Sequence, residues 1–296
     1  MTGLALGTGI LASIAWGIAA FTGAISARYF GTWVTNLGMK VTSAAVLVTV
    51  GLSFPPRIGL MALGSLIAPL VALGVALLAL DLVAYRLLAI GPVAIIYPLL
   101  ATSQAMVAVL AIATRGEHLS MIESVGLVAV ALGVIAIAFE KRTPPLEARV
   151  ARAWSSRSMI IAASVTLSVL GALVILARIS FMDRIGWYYP VLLDRGGQAV
   201  VLTAVFASRT LPRSRPHQWS VHWLAVLLTT GVLDGLAVTC WAVGATTSSV
   251  AVVSIITSTY VVIPVLLGVL LLRERPQAHQ AGGIAAVVAG IALLST

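Results

Sequence analysis

Residues 115–126 read RGEHLSMIESVG, and residues 272–283 read LRERPQAHQAGG. Laid over each other at an offset of 157, Glu117 meets Glu274, Glu123 meets Gln280 and Gly126 meets Gly283, and the same offset carries Gly133 onto Gly290. Upstream the offset drops to 153, where Asp81 meets Asp234 and Gly91 meets Gly244. Further back it is 155, where Lys40 meets Arg195. Matches that keep their order over so long a stretch mark an internal duplication.

The composition says what each copy is made of. Of 296 residues, 60% are hydrophobic and 9% charged, with a mean hydropathy of +1.09. A soluble domain of this size has ~25% charged residues, so the composition excludes a soluble enzyme. Ten apolar segments fall at about 3–25, 33–52, 61–88, 92–113, 120–139, 158–181, 187–207, 222–244, 248–272 and 277–295. Each is long enough to cross ~30 Å of hydrocarbon as a helix. None shows the alternation of a barrel strand, so the helix is the form that satisfies its backbone in lipid. The fold class expected is an all-α integral membrane protein with ten transmembrane helices. The first segment is expected to stay in the chain, since no basic residue precedes its apolar stretch.

The longest polar break, EKRTPPLEARVARAWSSR at 140–157, divides the chain into repeats at 1–139 and 158–296. Because five is an odd number, the second repeat must enter the membrane from the opposite side. Two inverted repeats with a pseudo-two-fold axis in the membrane plane are typical of secondary transporters. The gaps after helices 1, 3, 5, 7 and 9, counted with Arg86 at the end of helix 3, hold twelve Lys and Arg, against three in the gaps after helices 2, 4, 6 and 8. The positive-inside rule therefore sets the 140–157 loop in the cytoplasm and both termini outside. The net charge of +9 is spread over these short loops, which is not a nucleic-acid footprint. The lone Cys240 lies in an apolar run and forms no disulfide framework.

Charges inside apolar segments are expensive and mark pathways or pairs. Asp81, Asp194 and Asp234 are candidates for proton coupling or for neutralising a cationic substrate group. The structural alternative pairs Asp81 with Arg86, and Asp194 with a basic residue on a neighbouring helix. Lys40 and Arg195 would bind a carboxylate, or else snorkel to headgroups. On helix 4, Tyr97, Ala101 and Gln104 share one face, and the repeat maps them onto Ser254, Ser258 and Val261 of helix 9. These faces either line a cavity or join helices. Pro98 and Pro264 interrupt the same two helices. Trp16, Tyr85 and Trp241 would stack on an apolar or aromatic substrate, or belong to interfacial belts. Gly126, Gly133, Gly283 and Gly290 lie seven apart in pairs on helices 5 and 10, suiting close helix packing. Glu117 and Glu274 are expected to cap those helices.

Trp16-Gly17 in helix 1, the basic residue in helix 2, and the Gly-Glu or Arg-Glu turn followed nine residues on by glycine in both halves resemble the EamA-type, ten-helix members of the drug/metabolite transporter superfamily. The resemblance covers nearly the whole chain and implies export or exchange of small metabolites, amino acids among them. It also implies that helices 5 and 10 sit at the periphery and the others line a central cavity. Helix 6 departs from the pattern, with Gly171-Ala172 where helix 1 has Trp16-Gly17. The family's cytoplasmic termini also oppose the orientation that the charge count gives.

The function expected is thus a secondary transporter of small organic metabolites in the cell membrane, working by alternating access, with protons or a counter-substrate driving it. Alternatives are a multidrug or organic-cation efflux carrier, an intramembrane aspartyl enzyme or a channel. Against the enzyme, Gly231-Val232-Leu233-Asp234-Gly235 lacks the Gly-x-Gly-Asp spacing, and no zinc, nucleophile-elbow or phosphate-loop motif occurs. His118, His217, His222 and His279 lie at segment edges and form no ligand cluster, so no metal or cofactor is expected.

Overall fold

A computed structural model describes residues 2–54, 60–90, 93–117, 119–138, 157–208, 220–263, 266–267 and 278–294. Among them the chain is all helix, in ten helices: α1 Thr2–Phe30, α2 Thr32–Ser53, α3 Ile67–Ile90, α4 Val93–Arg115, α5 Met121–Ala138, α6 Arg157–Ile185, α7 Tyr188–Ala207, α8 Val221–Thr247, α9 Val250–Ser258 and α10 Ala278–Leu294. Six of the described helices are long and apolar enough to cross a membrane by length and composition. The 140–157 loop, Glu274 and Pro264 lie outside the described residues or at their masked edge.

Helix boundaries follow local chemistry. α1 and α6 run on beyond the expected ends, to Phe30 and Ile185, and each stops at a glycine of positive φ: Gly31 at 82° and Gly186 at 81°. Any side chain would be strained there. In each the glycine N–H still bonds the carbonyl four residues back, at Ala27 and Met182. The two turns are 155 residues apart, the offset that relates Lys40 to Arg195. α3 begins later than expected, after a 3-10 stretch at Leu60–Leu66 in which Gly64 takes φ 39°. Pro69 falls in the first turn of α3, where a missing N–H removes no helical bond. α9 gives way to 3-10 geometry over Thr259–Val261.

The packing keeps its form when each helix is exchanged with the one five further on. α1 lies against α8 as α6 does against α3; α2 against α8 as α7 against α3; α4 against α6 as α9 against α1. The pairs α2–α7, α4–α9 and α5–α10 map onto themselves. The α5–α10 contact is reciprocal in its atoms too. A Cβ at Gly133 would come within 2.6 Å of the Gly283 carbonyl oxygen, and one at Gly290 within 2.7 Å of that of Gly126. A contact that repeats when its partners are swapped is the mark of a local two-fold relation. These glycines do what the sequence asks of them, bringing two backbones together.

Glu117 does cap a helix, but not α5. Its Oε2 accepts from Ser249 Oγ at 2.6 Å and from the Ala251 N–H at 3.0 Å, and its Oε1 accepts from the Val250 N–H at 3.2 Å. It therefore holds the N-terminus of α9, in the other half of the chain. α5 supplies its own capping box: the Ser120 N–H donates to Glu123 Oε2 at 2.7 Å and the Glu123 N–H to Ser120 Oγ at 3.1 Å. At the same end Arg115 of α4 grips Asp183 of α6, Nη1 to Oδ2 at 2.6 Å and Nη2 to Oδ1 at 3.1 Å.

Candidate functional site

A cavity of about 220 Å³ opens between the two halves. Trp16, Ala19 and Ala20 of α1, Met39 and Lys40 of α2, and Leu77, Leu80, Asp81, Ala84 and Tyr85 of α3 line one side. Leu100, Ser103 and Gln104 of α4 and Leu167, Ser168, Gly171, Ile175 and Arg178 of α6 line another, closed by Arg195 of α7, Asp234 of α8 and Tyr260. On α3 the lining positions 77, 80, 81, 84 and 85 recur at three- and four-residue steps, so one stripe of that helix faces inward. Its other faces carry exposed apolar side chains such as Val75 and Val83.

Six charged side chains gather around this space, three of each sign. Lys40 Nζ donates to Asp81 Oδ2 at 2.6 Å. In the second half Arg195 holds Asp234 at two points, Nη2 to Oδ1 at 3.1 Å and Nε to Oδ2 at 2.9 Å. These two pairs join residues that occupy matched positions in the repeat. The second half extends its pair into a ladder: Arg195 Nη1 reaches Asp194 Oδ2 at 3.3 Å, and Asp194 also accepts from Arg178 and from Gln198. The Arg178 guanidinium lies 5.2 Å from the centre of the Trp241 ring, within cation–π range. Trp16 Nε1 donates to Asp234 Oδ1 at 3.0 Å, tying α1 to α8. Beside Trp16, a Cβ on Gly17 would lie 2.9 Å from the Tyr260 carbonyl oxygen, so glycine there lets α1 close on the chain beyond α9.

Several expectations are revised by this geometry. Asp81 takes Lys40 and not Arg86, which is exposed. Arg86 lies five positions on along α3, whereas α2 delivers the Lys40 ammonium to the carboxylate directly. Neither Lys40, 1% exposed, nor Arg195, 7% exposed, snorkels to the surface, because each has a carboxylate at hand inside. Asp194 pairs with Arg178, a lone arginine in the apolar run 158–181 that the sequence reading passes over. An intramembrane charge is the signal by which it can be found.

The expected lining residues divide. Trp16, Lys40, Tyr85, Gln104, Arg195, Asp81 and Asp234 all border the cavity. Trp241, Ser254 and Ser258 are fully buried and are not among its walls. Every residue of α9 is buried, wedged among α1, α4 and α8, and the hydroxyls of Ser254 and Ser258 are answered within the protein. Ser254 Oγ accepts from Trp241 Nε1 at 3.3 Å, and Ser258 Oγ donates to the Ile255 carbonyl at 2.6 Å. The backbone of α4 is helical through Tyr97 and Pro98, whose side chains lie outside the described residues. Ser103, Ser168 and Tyr260 join the lining without having been singled out in the sequence. Among the described residues no group of three or more His, Cys, Asp or Glu could hold a metal ion.

Comparison with known proteins follows from this frame. A solved structure described only as "Crystal structure of protein" is similar over 98% of this chain and 95% of its own, with a TM-score of 0.72 at 17% identity, a likeness in fold. No curated protein matches the chain. The EamA-like transporter family matches residues 157–296, which take in α6 to α10 and, with them, Arg178, Asp194, Arg195 and Asp234. By that match the second half of the chain is similar to the EamA-like transporters, and by its apolar helices the chain is a multi-pass membrane protein.

Proposed function

We propose that the protein is a secondary transporter that moves a small organic metabolite, an amino acid or a related compound, across the cytoplasmic membrane by alternating access between two inverted five-helix repeats. The observation that carries this reading is the cavity itself. It is walled by helices of both halves and bordered by two ion pairs, Lys40–Asp81 and Arg195–Asp234, at matched positions in those halves. Ion pairs withdrawn from water can be held or exchanged only at a site built for them. The packing exchange of α1–α5 with α6–α10 supports the inverted repeat, and a rocking of one half on the other would open the cavity to each side in turn. Export or exchange, driven by protons or a counter-substrate, fits a chain without a nucleotide-binding motif.

The test is counterflow in proteoliposomes loaded with unlabelled amino acids, read as uptake of the labelled compound. Saturable uptake accelerated by the internal pool supports a carrier. Linear uptake indifferent to the internal pool would make the protein a channel.

A further inference from the structure

The six charges around the cavity are not equivalent. Side-chain exposure is 1% for Lys40, 5% for Arg178, 9% for Arg195, 1% for Asp194 and 7% for Asp234, but 35% for Asp81. Asp194 is claimed by Arg178, Arg195 and Gln198, and Asp234 by Arg195 and Trp16. Asp81 has one ion-pair partner among the described residues, Lys40, and that contact engages Oδ2 alone. The three cations also border the cavity, but each is at most 9% exposed and paired with a carboxylate. The most exposed of the charged groups that border the cavity is therefore an acceptor.

A second acceptor stands in the same wall. Gln104 is 8% exposed, and its carboxamide oxygen has no hydrogen-bond partner among the described residues. A buried acceptor left unmatched costs about 1–3 kcal/mol, which a donor on the ligand would remove. The rings of Trp16, Tyr85 and Tyr260 border the space as well, and aromatic faces attract a cation. The volume, about 220 Å³, is below the roughly 300 Å³ at which drug-sized pockets begin.

We propose that the cavity binds a small organic ammonium ion, whose N–H groups bond the Asp81 oxygen that Lys40 does not engage and reach the Gln104 carboxamide oxygen. Asp234 and Asp194 then serve as fixed struts of the second half, and Asp81 is the exchangeable group. This rests on the reading of the cavity as the transport site and names the chemistry of its cargo. An organic anion is disfavoured, because it would have to part a buried cation from its carboxylate, whereas the ammonium meets the Asp81 oxygen that Lys40 does not engage.

The experiment is thermal unfolding of the purified protein in a neutral, zwitterion-free detergent, titrated separately with n-butylammonium, tetramethylammonium and n-butyrate. A ligand of the folded state raises the midpoint in a saturable way. The wild type is expected to respond to n-butylammonium, weakly or not at all to tetramethylammonium, which has no N–H, and not to n-butyrate. Lys40→Met removes the cation that neutralises Asp81 and should tighten n-butylammonium binding at least tenfold. The double variant Lys40→Met, Asp81→Asn keeps the charge balance and should bind none.

Unchanged or weaker binding by Lys40→Met would overturn the proposal, as would retained binding by the double variant or a preference for n-butyrate. No response to any ammonium, beside saturable counterflow of another metabolite, would remove the ammonium cargo and leave the transport reading standing. Absence of counterflow for every compound would remove the transport reading instead.

Discussion

Replacing Gly133 by alanine tests the α5–α10 contact directly. The new Cβ would sit 2.6 Å from the Gly283 carbonyl oxygen and 2.9 Å from the Val287 nitrogen, both backbone atoms that cannot swing aside. Ordinary contact begins at 3.4 Å, so α10 must retreat by about 0.8 Å, and the interlocked valines Val130 and Val287 lose contact as it does. Overpacking of this kind costs about 1–3 kcal/mol, against up to about 1 kcal/mol gained by removing glycine from a helix. A net loss of about 1–2 kcal/mol is expected. Gly290→Ala should behave alike, since its Cβ would lie 2.7 Å from the Gly126 carbonyl oxygen. One retreat of α10 relieves both clashes, so the double variant should lose at least about 0.5 kcal/mol less than the two singles together. Gly282→Ala, on the same helix with nothing within 4 Å of its Cβ, is the control and should be neutral or stabilising. The assay is reversible chemical unfolding of detergent-solubilised protein. If Gly133→Ala matches Gly282→Ala in stability, or the two losses simply add, the close reciprocal packing is not what holds these helices together.

Three other outcomes are expected. Asp234→Asn should lower the unfolding midpoint, since it leaves the buried Arg195 with Asp194 alone as counter-charge, a loss on the order of 3–5 kcal/mol; Lys40→Met with Asp81→Asn removes the first-half pair as a unit, leaves no buried charge unpaired, and should keep the wild-type midpoint while abolishing substrate flux, and equal midpoints for this variant and Asp234→Asn would refute the division between strut and exchangeable group. Glu117→Ala should cost about 0.5–2 kcal/mol by uncapping α9, seen as faster amide exchange at Val250 and Ala251 rather than anywhere along α5. Arg115→Ala should change stability by no more than about 1 kcal/mol at low salt, the pair with Asp183 being partly exposed, and the difference from wild type should vanish in molar salt.

Much of the architecture is legible in the sequence because lipid imposes it. A chain with 60% hydrophobic and 9% charged residues can satisfy its backbone in a bilayer only as helices, and ten apolar runs give ten helices among the described residues. The glycines at 126, 133, 283 and 290 and the matched charges Lys40 with Arg195 and Asp81 with Asp234 are also readable, since a duplicated sequence keeps its spacing. Trp16-Gly17 can be picked out as a motif, though not what it does.

The partners are what the tertiary structure decides. Lys40 meets Asp81 across 41 residues of chain and Trp16 meets Asp234 across 218, separations about which spacing along a helix says nothing. Glu117 has the chemistry of a cap, yet the end it caps belongs to α9, over 130 residues away. Ser254 and Ser258 are polar positions on a plausible face, but packing sets α9 in the core and Gln104 in the cavity wall. Sequence fixes which groups must avoid lipid; only the meeting of helices determines which of them are enclosed by their neighbours and which, like Asp81, remain partly exposed at the cavity.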